Sequence, residues 1–209
     1  MNTTTETIAL IDPLAPEAYV DVLAHEALTH RYMKRLALCK IVHFGSYLEI
    51  MHAVETGRCQ YGIVPIRHSI RGMMDEIGSY WFQEKEKGNN TISIAAEELI
   101  GYGSLLETRF HLVRRNAPVA FNRQEDKTAM IINLTAETSN PEDIRRVLLS
   151  IQAEDIAFYP VHTEQAGLST FYLEFVSRYI SPQSIDSILC LWTKSAYVLG
   201  RYECWTIAK

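Results

Sequence analysis

The order of apolar runs predicts an α/β protein in two parts: a doubly wound α/β domain over residues 1–117, then a ferredoxin-like βαββαβ domain over residues 126–209. Three observations carry this expectation. Short β-branched runs alternate with helical periodicity from residue 7 to about 115, a proline-bearing, charged stretch from Asn116 to Glu125 interrupts the pattern, and from Lys127 the elements run strand, helix, strand, strand, helix, strand. With 209 residues, 47% of them hydrophobic and 22% charged, the chain can bury one large core or two small ones, which excludes disordered and collagen-like classes.

Taken in order, Thr7 to Ile11 is an apolar strand that Asp12-Pro13 ends, and Pro16 to about Leu36 has helical spacing, with Tyr19, Val22, Leu23, Ala27 and Tyr32 on one side. Leu38 to Phe44 is a second strand. Ser46 caps a helix that runs to Thr56 and stops at Gly57. Gln60 to Ile66 is a third strand, whose Val64-Pro65-Ile66 end is expected to point out of the sheet. An amphipathic segment, Met73 to Phe82, precedes the apolar-free run QEKEKGNN from Gln83 to Asn90, which reads as a solvated loop. Tyr80 and Trp81 are expected to cover the exposed half of the sheet or to make an oligomer contact, rather than to stack on a substrate. A strand from Thr91 to Ala95, a helix from Ala96 to Tyr102 and a strand from Thr108 to Arg115 complete the first half.

In the second half, Lys127 to Thr135 is a strand, and Asn140-Pro141-Glu142-Asp143 combines a cap, a proline at the first helical position and acids over the positive end of the dipole. Ile144, Val147, Leu148 and Ile151 then recur at helical spacing. Ile156 to His162 and Leu168 to Val176 are strands joined around Gly167, Ser181-Pro182 opens a helix to Leu191, and Ser195 to Tyr202 is the last strand.

A net charge of −5, with scattered basic residues, argues against nucleic acid as a partner. No apolar run reaches the roughly 18 residues of a membrane span. Cys39, Cys59, Cys190 and Cys204 show neither CxxC nor zinc spacing, and no secretory leader precedes them, so reduced thiols in a cytoplasmic protein are expected. His25 and His30 lie five apart and leave one helix face, so the zincin pattern fails and no metal ligand is assigned. Cys59, with no base identified beside it, reads as an inert thiol.

Particular residues say more. The run Ala53-Val-Glu-Thr-Gly57-Arg-Cys-Gln-Tyr-Gly-Ile-Val-Pro-Ile66 resembles the prephenate dehydratase segment in which a helix ending "AVE-x-G" precedes the strand "DYGVVPIENS". Thr108-Arg109-Phe110 resembles that family's Thr-Arg-Phe motif, and Ile94 to Leu105 its "AIASERAAELYGL" stretch. Asp126-Lys127-Thr128 and Val198-Leu199-Gly200-Arg201-Tyr202 resemble the start and end of its ACT domain. The resemblance implies a cytoplasmic lyase of phenylalanine biosynthesis that turns prephenate into phenylpyruvate without metal or organic cofactor. It also implies a catalytic part like a periplasmic binding protein, and a homodimer or tetramer assembled through ACT domains.

That chemistry needs a donor at the departing ring hydroxyl and cationic or amide groups for two carboxylates. The resemblance therefore assigns Thr108 to the hydroxyl and Arg109 to electrostatic support, with Phe110 beside the substrate. Arg67, His68, Ser69 and Arg71 form a cationic, hydroxylated turn beyond a strand end, where open α/β sheets bind ligands. The departures are specific. "PIENS-x-x-G" is Pro65-Ile66-Arg67-His68-Ser69-Ile70-Arg71-Gly72, the "GPxGTFS" turn is Asp12 to Ala18, and Arg67 to Glu107 stand where the family has an entire second lobe. The ACT turn "PGAL" is Asn140 to Asp143 and "ESRP" falls near Val161 to Glu164, which makes Asn140 and His162 the candidates for an amino-acid site. The rival to a diverged lyase on prephenate or a related small carboxylate is a non-catalytic ligand-binding or regulatory protein.

Overall fold

The computed structural model describes residues 6–15, 18–32, 34–89, 91–102, 106–115, 127–135, 140–163, 167–177 and 180–202. The chain divides into two compact units, Met1–Ile77 with Asn90–Ala117, and Gly78–Asn89 with Pro118–Lys209.

In the first unit, β1 (Thr7–Ile11), β2 (Lys40–Phe44) and β3 (Tyr61–His68) are parallel, in the order β2-β1-β3. The chain passes from β1 to β2 through α1 (Ala18–Tyr32) and the short α2 (Lys34–Ala37), and from β2 to β3 through α3 (Tyr47–Glu55). Ala24 and Leu28 of α1 pack on Ile8, Leu10, Ile63, Phe110 and Leu112. Ile50 and Val54 of α3 lie over Gly62 and Val113. Because Gly62 and Ile63 are consecutive in one strand, the two helices cover opposite faces of the sheet, as a doubly wound arrangement requires. The predicted cap holds: Ser46 Oγ accepts from the Glu49 amide at 3.2 Å. Gly57, at φ 78°, turns the chain out of the helix in the left-handed region where a Cβ is disfavoured.

Three sequence expectations fail here, each for a tertiary reason. Val64, Pro65 and Ile66 do not leave the sheet; all three are buried and β3 continues to His68. A bulge between Pro65 and Arg67 accommodates the missing proline N–H, and a turn whose Gly72 has φ 79° leads into β4 (Gly72–Met73). Ala96 to Tyr102 is not a helix but the second half of one long strand, β5 (Ile92–Tyr102), antiparallel to β6 (Leu106–Arg115). The helix-forming run Ala95-Ala96-Glu97-Glu98-Leu99 is overridden because β6, itself paired with β3, supplies a complete ladder. Gln83 to Glu86 are the last turn of α4 (Asp75–Glu86), and the chain turns at Gly88, φ 76°. The expected solvated loop is therefore a helix end in which Lys85 is buried.

The second unit follows the βαββαβ plan: β7 (Lys127–Thr135), α5 (Pro141–Ser150), β8 (Glu154–Val161), β9 (Leu168–Val176), α6 (Pro182–Leu189) and β10 (Ser195–Tyr202). The strands lie antiparallel in the order β10-β7-β9-β8. Ile144 and Leu148 of α5 and Ile185 and Leu189 of α6 pack with Met130, Ile132, Leu134, Leu173 and Phe175 on one face. Asn133 alternates with Ile132 and Leu134, so it points to the other face, where Glu86 of α4 accepts from Asn133 Nδ2 (3.2 Å), Ser195 Oγ (3.3 Å) and Tyr197 Oη (3.1 Å). Ser79 Oγ of the same helix donates to the His162 carbonyl at 2.9 Å. Trp81 and Phe82 of α4 are buried, and Tyr80 meets the Trp81 ring edge-on at 6.5 Å. The stretch Asn116 to Glu125 lies outside the described residues.

Candidate functional site: a cleft at the strand switch point

The strand order β2-β1-β3 reverses direction at β1, so a crevice opens beyond the carboxyl ends of β1 and β3, with α1 and α3 leaving on opposite sides. A cavity of about 220 Å³ occupies that edge, lined by Val20, Tyr47, Pro65, His68, Arg71, Met74, Thr108 and Phe110. Its walls are chiefly apolar, with a tyrosine, a histidine, a threonine and one guanidinium at separate points, which is the composition of a small-molecule site.

The pairing of β3 with β6 sets the polar geometry. Pro65 is opposite Phe110 and His68 is opposite Thr108, and between them the bulge takes up one residue of β3 so that Arg67 meets Arg109. Without that extra residue, the pairing that starts at Pro65 and Phe110 would bring Arg67, not His68, opposite Thr108. The backbone amides of Ile70 (3.1 Å) and Arg71 (3.4 Å) donate to His68 Nδ1. With the Nδ1 lone pair engaged, the neutral ring carries its proton on Nε2 and presents a donor there. Phe110 is fully buried and joins the cleft to the core beneath α1, while Arg71 is exposed at the rim.

The residues proposed from sequence are thus divided between two faces. His68, Arg71, Thr108 and Phe110 share the cleft. Arg67, Ser69 and Arg109 line a separate cavity of about 30 Å³ with Leu99 and Glu107. Thr108 and Arg109 are consecutive in a strand, so their side chains project oppositely, whereas the resemblance assigns both to one substrate. Arg109 Nη1 lies 3.4 Å from Glu97 Oε1. Ser69 closes the β3-β6 ladder: its amide donates to the Glu107 carbonyl (2.8 Å) and its Oγ accepts from the Glu107 amide (3.0 Å).

In the second unit, Asn140 caps α5. Its Oδ1 accepts from the amides of Glu142 (2.8 Å) and Asp143 (3.1 Å), while Asp143 accepts from the Asn140 amide. That side chain is engaged by its own helix. His162 is exposed, and its carbonyl receives Ser79. Burial pushes the Cys59 thiol up, against a reactive role for it.

Val20, Tyr47 and Met74 are not singled out by the sequence, and Pro65 is marked there only as part of a motif. Tyr47 carried a readable signal, since it is the first residue after a helix cap at the carboxyl end of a parallel strand. Val20 and Met74 carried none, because their place at the cleft comes from the packing of α1 and the course of the β3-β4 turn.

No family model and no curated protein sequence matches the chain. Solved structures do. The chain is similar to GqqA, described as a novel type of quorum quenching acylase, at a TM-score of 0.72 and 16% identity over 95% of each chain. It is similar to prephenate dehydratase from Streptococcus mutans at a TM-score of 0.64 and 19% identity, covering 97% of this chain and 100% of the other. It is also similar to prephenate dehydratase from Arthrobacter aurescens in complex with L-Phe, at 0.65 and 12%, covering 95% and 90%. At these identities the likeness is one of architecture: the chain has a prephenate dehydratase-like mixed α/β fold, which an acylase also adopts.

Proposed function

We propose that the first unit is a diverged dehydratase-type lyase, acting on prephenate or a related small carboxylate bound at the switch-point cleft. The observation that carries the reading is the cross-strand pair of His68 and Thr108 on the wall of that cleft, with Arg71 at its rim and Phe110 at its base.

In prephenate the ring hydroxyl leaves as water and a carboxylate as carbon dioxide, while the electron pair of the breaking carbon–carbon bond aromatises the ring. One proton is consumed, at the departing oxygen. Solvent at the open end supplies that proton as the carbon–oxygen bond breaks, Thr108 Oγ1–H or His68 Nε2–H can hydrogen-bond to the departing oxygen and stabilise the charge developing on it, and Arg71 can hold a carboxylate at the rim. Pro65, Phe110, Val20 and Met74 can hold the ring and keep water from it. This assignment uses no metal or organic cofactor. The His68 tautomer favours a lyase over acyl transfer by Thr108. A nucleophilic threonine needs a base to take its proton, and His68 offers the cleft an N–H.

The second unit is read as an ACT-like module that assembles the protein as a homodimer or tetramer. Because Asn140 is occupied in its helix cap, the assembly role is favoured over amino-acid sensing at Asn140 and His162. The shortness of the segment from Arg67 to Glu107 is read as loss of most of a second lobe.

The test is turnover of prephenate to phenylpyruvate by the purified chain, followed by absorbance, with Thr108→Ala and His68→Gln alongside. Turnover above the acid-catalysed background, cut by roughly a hundredfold in either variant as for loss of one donor to the developing charge, is the expected result. No turnover, together with prephenate raising the unfolding midpoint, would instead establish the non-catalytic binding protein. No turnover and no shift would overturn both.

A further inference from the structure

We propose that the first unit carries a second binding site, for one small monoanionic group, a carboxylate or a halide, on the sheet face opposite the cleft. Arg67 of β3 and Arg109 of β6 are direct register partners and both are partly buried. Their side chains line the same cavity of about 30 Å³, with Ser69, Leu99 and Glu107. Leu99 is the partner of Arg109 on β5, and the Glu107 amide is bonded to Ser69. Alternate rungs of the β3-β6 ladder, Arg67 with Arg109 and Ser69 with Glu107, therefore build the pocket, together with Leu99 from the β5-β6 ladder.

Size and donors define the ligand. A space of this volume holds about one water-sized group, so it suits a chloride or one carboxylate and not a phosphate ester enclosed whole. Two guanidiniums and a hydroxyl supply directed donors, and guanidinium is weakly hydrated, so its desolvation costs little compared with that of an ammonium. Glu97 orients one of them through its 3.4 Å contact with Arg109 while itself standing outside the cavity lining. Glu107 at the rim works against an anion, which makes it a useful probe.

The position has a consequence for the cleft. Arg67 and His68 are consecutive, as are Thr108 and Arg109, so one pair of dipeptides presents two cations on one face and the threonine–histidine pair on the other. An anion that ties Arg67 to Arg109 braces the same backbone that sets His68 against Thr108. Binding at either face then favours binding at the other by an equal factor. This coupling rests on the cleft being a ligand site; the anion site does not.

The test uses the full chain without any cleft ligand. The unfolding midpoint is measured against sodium chloride and, separately, sodium acetate, in the wild type, Arg67→Gln and Glu107→Gln. The expected result is a saturable rise in the wild type that Arg67→Gln abolishes. Glu107→Gln should tighten the anion by roughly fivefold, the effect of removing a repulsion of order 1 kcal/mol. A response to acetate alone identifies a carboxylate site, and a response to both a general monoanion site. If Arg67→Gln fails to fold, chloride line broadening by nuclear magnetic resonance on the wild type and Glu107→Gln decides: broadening that saturates, and is stronger in the variant, supports the site. Equal salt dependence in all three proteins, or linear broadening unaffected by Glu107→Gln, overturns it.

Discussion

Gly62 lies in β3 directly beneath α3. A Cβ built there would stand 2.7 Å from Ile50 Cγ2, 3.0 Å from Val54 Cγ2 and 3.3 Å from Val113 Cγ2. The first distance is well inside van der Waals contact, and Ile50 and Val54 are β-branched residues in a helix, where χ1 has essentially one well. The methyls cannot rotate away, so Gly62→Ala has to lift α3 from the sheet. Overpacking of this kind costs about 1–3 kcal/mol, against a gain of about 0.4–1 kcal/mol from a less flexible unfolded chain. The net loss is about 1–2 kcal/mol, which for a chain of this size lowers the midpoint by roughly 2–8 °C. Calorimetry on Gly62→Ala, Ile50→Leu and the double variant measures it. Ile50→Leu removes the offending methyl at nearly constant volume, so the double variant should be more stable than the sum of the single effects allows. A neutral or stabilising Gly62→Ala, or strict additivity with Ile50→Leu, would refute this account of how α3 sits on the sheet.

Two further outcomes follow from the second unit. Asn140→Ala removes both cap bonds to α5 and should cost about 1–2 kcal/mol by thermal or urea unfolding, while Asn140→Asp, which keeps an acceptor oxygen, should cost much less. Burial holds the Lys85 amine down at about 8, beside the Trp81 ring at 5.8 Å. Its folded value lies below its unfolded one, so the unfolded chain holds that proton more tightly. The penalty is full below pH 8 and fades as pH rises from about 8 towards the ordinary lysine value of about 10.4. Lys85→Met should therefore stabilise the protein at pH 7 by up to a few kcal/mol, with the advantage shrinking above pH 8 in parallel urea titrations of the two proteins.

Local signals were readable wherever one residue's chemistry decides the local backbone. The Ser46 and Asn140 caps, Pro141 at the start of its helix, the turn at Gly57, and the strands Thr7–Ile11, Lys127–Thr135, Leu168–Val176 and Ser195–Tyr202 all appear in the fold as the sequence indicates. The failures occur where partners distant in sequence decide. Ala96 to Tyr102 is strand because β6 offers hydrogen bonds that outweigh the helical preference of alanine, glutamate and leucine. Lys85 is charged and expected in solvent, yet it is buried, while Glu86 is exposed as expected and also receives three donors from β7 and β10.

The candidate site shows the same division. The sequence marked the candidate side chains: Thr108, Arg109 and Phe110 through a family resemblance, and Arg67, His68, Ser69 and Arg71 as a cationic, hydroxylated turn expected beyond a strand end. It also determined the two-part α/β and βαββαβ grammar, because hydrophobic periodicity and capping are local properties of the chain. Only the tertiary structure decided which of these residues meet. Strand alternation, together with the bulge at Pro65 to Arg67, sends His68 and Thr108 into the cleft and Arg67 and Arg109 to the opposite face. The register of two strands some forty residues apart is set by what each buries and pairs with, and a slip of one residue exchanges the faces.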